Sequence, residues 1–384
     1  MEEREALHDA WNVCEHMHQR SMYEERDVGG ERKTALREKH SPRYLFDIEE
    51  FVTAVGQCDE LAFVDVPTRH PGVSRVEERK LGRKYYRKVN KWIELYNDRY
   101  HYSPKVEVFH DICKEFGLIS QGRCFRNPKS WANSDGTRYM DLFNTLIERI
   151  RTRCRSRKFK EAERLSRLNT KRNVKRLMEL EGRMFSDGGH ESEGRSRWLV
   201  LWLTLGYEKR YRGSITPEVI KEHRDKLLAS RRLTGPMRRV KNYVWTIEEG
   251  DDVGLHMHVV IFYASDRNHD EYYARQIGEY WVNSVTRGIG DYWNGNTPER
   301  KRHYRTKGFG VGVGQINSGD AEMRTSLRKV LEYMAKADQY LRSKGLQRMR
   351  TIGWGKVPKK IKAGRKRAER GWVAPRRILG GPYS

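Results

Sequence analysis

Three residues within a short span carry the side chains that a divalent cation would need: Glu248, His256 and His258. Residues i and i+2 of a strand project to the same side, so the two imidazoles of His256-Met257-His258 share a face. Val260 continues that face, while Leu255, Met257, Val259 and Ile261 form an apolar face behind it. Glu248 lies near the end of the preceding run, Lys241–Glu249. A turn at 250–254 folds the two runs into a hairpin and brings the carboxylate across from His256. Two nitrogens and one hard oxygen suit a divalent metal and leave coordination positions for phosphate oxygens and water. A His-x-His on a strand is often incidental; the glutamate at hairpin spacing gives this pair its weight.

A second set lies on a helix expected from about Ala321 to Ser343. At about 100° per residue, Met323, Leu327, Val330, Met334, Ala337 and Leu341 form one stripe, the expected core face. Tyr333, Lys336 and Tyr340 form another stripe roughly 100° to one side. A polar stripe beside a core seam belongs where a helix meets the rim of a sheet, within reach of a metal held there. Lys336 could steady a phosphate or a phenolate beside either tyrosine. A phenol, with a pKa near 10, is a weak nucleophile at neutral pH. It becomes competent toward a phosphodiester when a metal drains charge from the nonbridging oxygens and the groups are held in line. The products are a 5′-phosphotyrosine and a free 3′-hydroxyl, and the new bond conserves the energy needed to rejoin the strand.

The elements that must position these residues read as a strand at Trp198–Leu205 and a helix at Thr216–Ala229 with Pro217 in its first turn. The hairpin follows, then a helix over about Asn268–Val285, a strand near Gly310–Ile316 and the tyrosine helix. That order, β-α-β-β-α-(β)-α, predicts an antiparallel α+β domain. Gly188, Gly189 and Gly194 mark a boundary before it. The half ahead of the boundary is expected to be mainly helical. Leu45, Ile48, Phe51, Val52 and Val55 have helical spacing, a helix through 106–120 closes near Gly117, and an amphipathic helix from Tyr139 runs on into a basic stretch through Leu180. The division expected is a charged leader at 1–40, partly helical or disordered, a helical accessory domain at 41–190, a catalytic domain at 191–352 and a basic tail at 353–384.

The chain of 384 residues carries a net charge of +25. Thirteen Lys and Arg against two Glu fall within 149–176, and ten against one within 356–377. Positive charge so concentrated points to a polyanion, because neutralising phosphates releases counterions. The expected phosphate contacts are Arg149, Arg151, Arg153, Arg155, Arg157 and Lys158 in the first stretch. Lys359, Lys360, Arg365, Lys366 and Arg367 are expected to make them in the second. Charge alone does not separate DNA from RNA. The five cysteines are scattered with no Cys-x-x-Cys, which predicts free thiols and disfavours a zinc ribbon. No apolar run approaches a membrane span, and the polar N-terminus lacks a secretory core, so a cytoplasmic protein is expected.

The segments YVWTIEEGDDVGLHMHVVIFY, LEYMAKADQYL and WLVLWLTLGY resemble the three motifs of HUH-class replication endonucleases. With GEYWVNSVTRGIGDYWN and RTIGWGKVP, the similarity over about 195–358 looks most like the inovirus gene-2 protein family. The resemblance implies an HUH endonuclease domain with a central antiparallel sheet flanked by helices. It implies His256 and His258 as metal ligands, Glu248 as the acidic ligand, Tyr333 as nucleophile and Lys336 as its companion. Mg²⁺ or Mn²⁺ is the expected cofactor. Origin DNA, single-stranded or supercoiled, is the expected partner in a bacterial host cell, with host helicase and polymerase as further partners. Many phage initiators place two tyrosines one helical turn apart. Here Tyr340 follows Tyr333 by two turns, about 10.5 Å along the axis, which favours a single-tyrosine mechanism. A relaxase or transposase would use the same site, and a DNA-binding prophage protein without catalysis is the reading from another class.

Overall fold

The computed structural model describes residues 43–358 except 71, 121, 123, 187–196, 233–234, 251–252, 307 and 309, together with the backbone of 23–28 and 31–36. Within the expected leader, β1 (Tyr23–Val28) and β2 (Glu31–Leu36) pair antiparallel. The leader is thus a hairpin over these residues rather than a helix.

The accessory half begins with α1 (Arg43–Gln57), whose Leu45, Ile48, Phe51, Val52 and Val55 are all buried. A hairpin of β3 (Phe63–Pro67) and β4 (Ser74–Glu78) follows, then the short α2 (Lys80–Tyr85) and α3 (Val89–Glu94). Next come β5 (Tyr100–Tyr102) and α4 (Pro104–Glu115). Ser103 caps α4 by accepting from Val106 N, Pro104 fits its first turn, and Gly117 closes it with φ 68°. The expected single helix from Tyr139 is two: α5 (Tyr139–Arg155) and α6 (Arg157–Met184). Ser156 breaks it by taking extended backbone and accepting from Phe159 N at 3.2 Å, a side-chain cap that starts the second helix. One core serves this half, drawn from residues 45 to 159.

The second half holds a six-stranded antiparallel sheet. Its strands are β6 (Arg197–Tyr207), β7 (Val240–Gly250), β8 (Gly254–Tyr263), β9 (Gly290–Asn294), β10 (Gly314–Asn317) and β12 (Ile352–Trp354). The order is β10-β6-β8-β7-β12, with β9 pairing the other end of β6. Helices α7 (Pro217–Ala229), α8 (Asp270–Tyr280), α9 (Pro298–Thr306) and α10 (Ala321–Tyr340) surround it. Both faces are covered, so β6 reads as a nearly continuous apolar run. Trp198, Val200 and Trp202 face a core shared with α10 and the end of α6. Leu199, Leu201, Leu203 and Leu205 face a core shared with α7 and α8.

The helix expected to reach Ser343 stops at Tyr340. Leu341 turns to extended backbone (φ −150°), and β11 (Leu341–Ser343) pairs with β5 of the accessory half. Within 287–318, expected to hold one strand, β9, α9 and β10 are present. Cys58, Cys113, Cys124 and Cys154 are free thiols, as expected. No helix among the described residues is long and apolar enough to cross a membrane.

Candidate metal centre and tyrosine helix

The hairpin register sets the centre. Glu248 pairs with His256 across β7 and β8, while His258 stands between Thr246 on one side and Thr204 of β6 on the other. Alternation then puts Thr204, Thr246, Glu248, His256 and His258 on one face of the sheet. Ligand atoms of Glu248, His256 and His258 all lie within 4.8 Å of one another. Glu248 Oε2 and His258 Nε2 are 3.5 Å apart, and the two imidazoles meet edge to face with centroids 4.8 Å apart.

The donor chemistry fits an ion. His256 Nδ1 lies 2.9 Å from the carbonyl oxygen of Gly254, so that nitrogen must carry the proton and the lone pair falls on Nε2. Gly254 can offer the carbonyl because it takes φ 67° at the hairpin turn, a conformation glycine adopts without strain. His258 Nδ1 meets Thr204 Oγ1 at 2.8 Å, which likewise turns Nε2 toward Glu248. Thr246 Oγ1 donates to Glu248 Oε1 at 3.3 Å. Each ligand is therefore oriented by a partner behind it, the arrangement that fixes metal ligands in place. His256 and His258 are 8% and 5% exposed, while Glu248 is half-buried and keeps the centre open on its side.

The tyrosine helix packs on this same face. Val260 and Phe262, which continue the histidine side of β8, share a core with Leu327, Leu331, Tyr333, Met334, Ala337 and Tyr340. The tyrosines are not on a polar rim: Tyr333 and Tyr340 are each 4% exposed. Met323 and Val330, expected in the core, are half-buried. The cause is that α10 is gripped from two sides, by the sheet and by α6, so its buried arc is wider than one stripe. Lys336 is half-buried, with Nζ 2.5 Å from Glu332 Oε1 one turn back. The carbonyl of Tyr340 accepts from Ser103 N at 3.3 Å, which ties the end of α10 to the accessory half.

Asp338 also belongs to this neighbourhood, and the sequence reading missed it. Its carboxyl is pushed up to about 6, first by burial and then by the charge of Glu248, against a lowering hydrogen bond from Thr351. The signal was available: by helical arithmetic Asp338 falls in line with Leu327, Leu331 and Met334, where a carboxylate needs a reason.

The first basic stretch divides. Arg151 is 2% exposed and donates to the carbonyls of Val55 and Glu60, so it braces the accessory core and is withdrawn from any phosphate role. Arg153 pairs with Glu115 at 2.6 Å and Arg155 with Asp59 at 2.5 Å. Arg149, Arg157 and Lys158 are exposed. Lys359, Lys360, Arg365, Lys366 and Arg367 lie outside the described residues. Comparison with family models, with curated proteins and with solved structures gives no match at any of the three.

Proposed function

We propose that this chain is a DNA strand nuclease of the HUH class that initiates rolling-circle replication, with Tyr333 as its nucleophile. The observation that carries the reading is one sheet face holding Glu248, His256 and His258 within 4.8 Å of each other while the helix of Tyr333 packs on that same face. A divalent ion held there, Mg²⁺ or Mn²⁺, would supply Lewis-acid polarisation of the nonbridging phosphate oxygens. Tyr333 Oη attacks the phosphorus, the 3′-oxygen leaves, and the 5′-phosphate stays on the tyrosine. Burial of the Tyr333 ring limits its rotamers, which favours a fixed line of attack. Lys336 lies one turn further along the helix and steadies charge on the phosphate or the phenolate. Tyr340, whose carbonyl accepts from Ser103 N at the helix end, is not assigned the first cleavage. Origin DNA is the proposed partner, bound largely through basic segments that do not depend on the metal.

The test is nicking of supercoiled and single-stranded DNA from the chain's own locus, with and without EDTA. Cleavage should require the metal, and His258→Ala should abolish it while leaving binding affinity within about twofold, because phosphate contacts lie elsewhere. Full-rate nicking by that variant in EDTA contradicts the metal centre. Tight DNA binding without any cleavage favours the reading of a non-catalytic DNA-binding protein.

A further inference from the structure

We infer that the exposed middle of α6 is a docking track for the sugar–phosphate backbone of double-stranded DNA. The helix is held at its ends in different cores, by Phe159 in the accessory half and by Leu177, Leu180 and Met184 against the sheet. No residue from Lys160 to Arg176 is buried between these anchors. Five exposed cations, Lys160, Arg164, Arg167, Lys171 and Lys175, recur at steps of four, three, four and four. At about 100° and 1.5 Å per residue they fall within an arc of about 80° over a length of about 23 Å.

A helix that merely bridges two domains through solvent is served best by alternating charges along its faces. Here like charges stand at the i+3 and i+4 spacings where they repel. Arg164 and Arg167 are offset by Glu161 and Glu163, and Arg176 by Glu179. Lys160, Lys171 and Lys175 take part in no ion pair among the described residues. A straight cationic row complements a polyanion, and its length is about two-thirds of a turn of duplex. Single-stranded sites add aromatic platforms on which bases stack, and the segment 160–176 contains no aromatic residue. Contacts to the duplex backbone alone therefore fit it best. The geometry also moves the expected DNA surface along the chain, away from Arg151, Arg153 and Arg155 and toward the half of α6 that packs against α10. There Arg324 and Arg328 reach Glu181 of α6, so a duplex on the track passes beside the tyrosine helix.

The inference rests on the reading of the chain as a protein that acts on DNA, but it concerns binding and is tested without cleavage. Full-length protein is titrated in EDTA against a 20-base-pair duplex of arbitrary sequence and against its single strand, over a salt series. The triple variant Lys160→Gln, Lys171→Gln, Lys175→Gln should lower the slope of log K against log salt by up to about 2.7 and weaken low-salt duplex binding roughly tenfold or more. Lys80→Gln, Lys91→Gln, Lys129→Gln removes the same charge from the exposed surface of the accessory half and should stay close to the parent. Lys171→Gln alone, with an expected slope change of about 0.9, serves if the triple does not fold. Equal losses from both triples, or a loss confined to the single strand, overturn the track. A track variant that loses duplex binding in a protein that nicks no DNA would sink the nuclease reading and keep the track. Normal duplex binding by the triple in a protein that nicks would do the reverse.

Discussion

His110 is buried and Asp338 half-buried, and the displaced pKa of each has a different consequence. His110 is fully buried among Tyr96, Tyr102 and Phe109, and its pKa is pushed down to about 3, chiefly by burial and further by Lys114. Between pH 3 and the ordinary value of about 6.5, the unfolded chain binds the proton and the folded chain does not. The stability this histidine contributes is therefore complete above about pH 6.5 and is lost as the pH falls toward 3. By pH 5 the loss is about 2 kcal/mol. His110→Phe keeps a ring among the tyrosines and removes the titration. Denaturant unfolding at pH 7 and pH 5 should show the variant losing about 2 kcal/mol less than the parent; equal losses would mean that the site is hydrated. Asp338, by contrast, is raised chiefly by burial and further by the charge of Glu248, a residue of the candidate metal centre.

At the scale of elements, the contact between α6 and α10 turns on one carboxylate. Glu181 is fully buried and receives Arg324 Nε and Arg328 Nε, each at 2.8 Å. Glu181→Gln leaves two guanidinium groups facing a neutral amide, and because both can still reach water the expected cost is about 1–3 kcal/mol. A loss of unfolding free energy below about 0.3 kcal/mol would show the pairing to be incidental. The elements that hold the candidate metal centre were legible in the sequence. Alternation marked the faces of β8, the turn at 250–254 set the register, and Glu248 does stand across from His256. Other features were not legible because tertiary pairing decides them. The chain after Tyr340 has ample helix propensity, yet β5, more than 200 residues earlier in the chain, draws it into a strand. The short β9 and β12 exist only as edges added to β6 and β7. The stripe arithmetic on α10 assumed one neighbour, and the helix has two.

Across the whole molecule, the accessory half and the sheet are joined at the end of β7. Arg99 pairs with Glu249, the residue after Glu248, Ser343 donates to the same carboxylate, and Lys344 N donates to the carbonyl of Arg99 at 2.8 Å. These bonds tie the accessory half both to the strand of Glu248 and to the segment leaving the tyrosine helix. The proposed role of the basic tail is tested at this scale too. Lys356 must be kept in any truncation, because its carbonyl accepts from Asn242 at 2.9 Å. Removing residues 359–384 should weaken binding to unrelated DNA sequences alike and flatten the salt dependence. An unchanged slope in the same titration would make the tail a solvated charge run.

The central claim is that Tyr333 carries the DNA after cleavage. Parent protein and the Tyr333→Phe and Tyr340→Phe variants are incubated with single-stranded DNA from the chain's own locus and Mn²⁺, then digested, and the nucleotide-bearing peptide is sequenced by mass spectrometry. The account predicts a 5′-phosphate on Tyr333 in the parent and in Tyr340→Phe, and no adduct in Tyr333→Phe, which keeps the ring that packs in the core. An adduct on Tyr340, or one that persists in Tyr333→Phe, would contradict it.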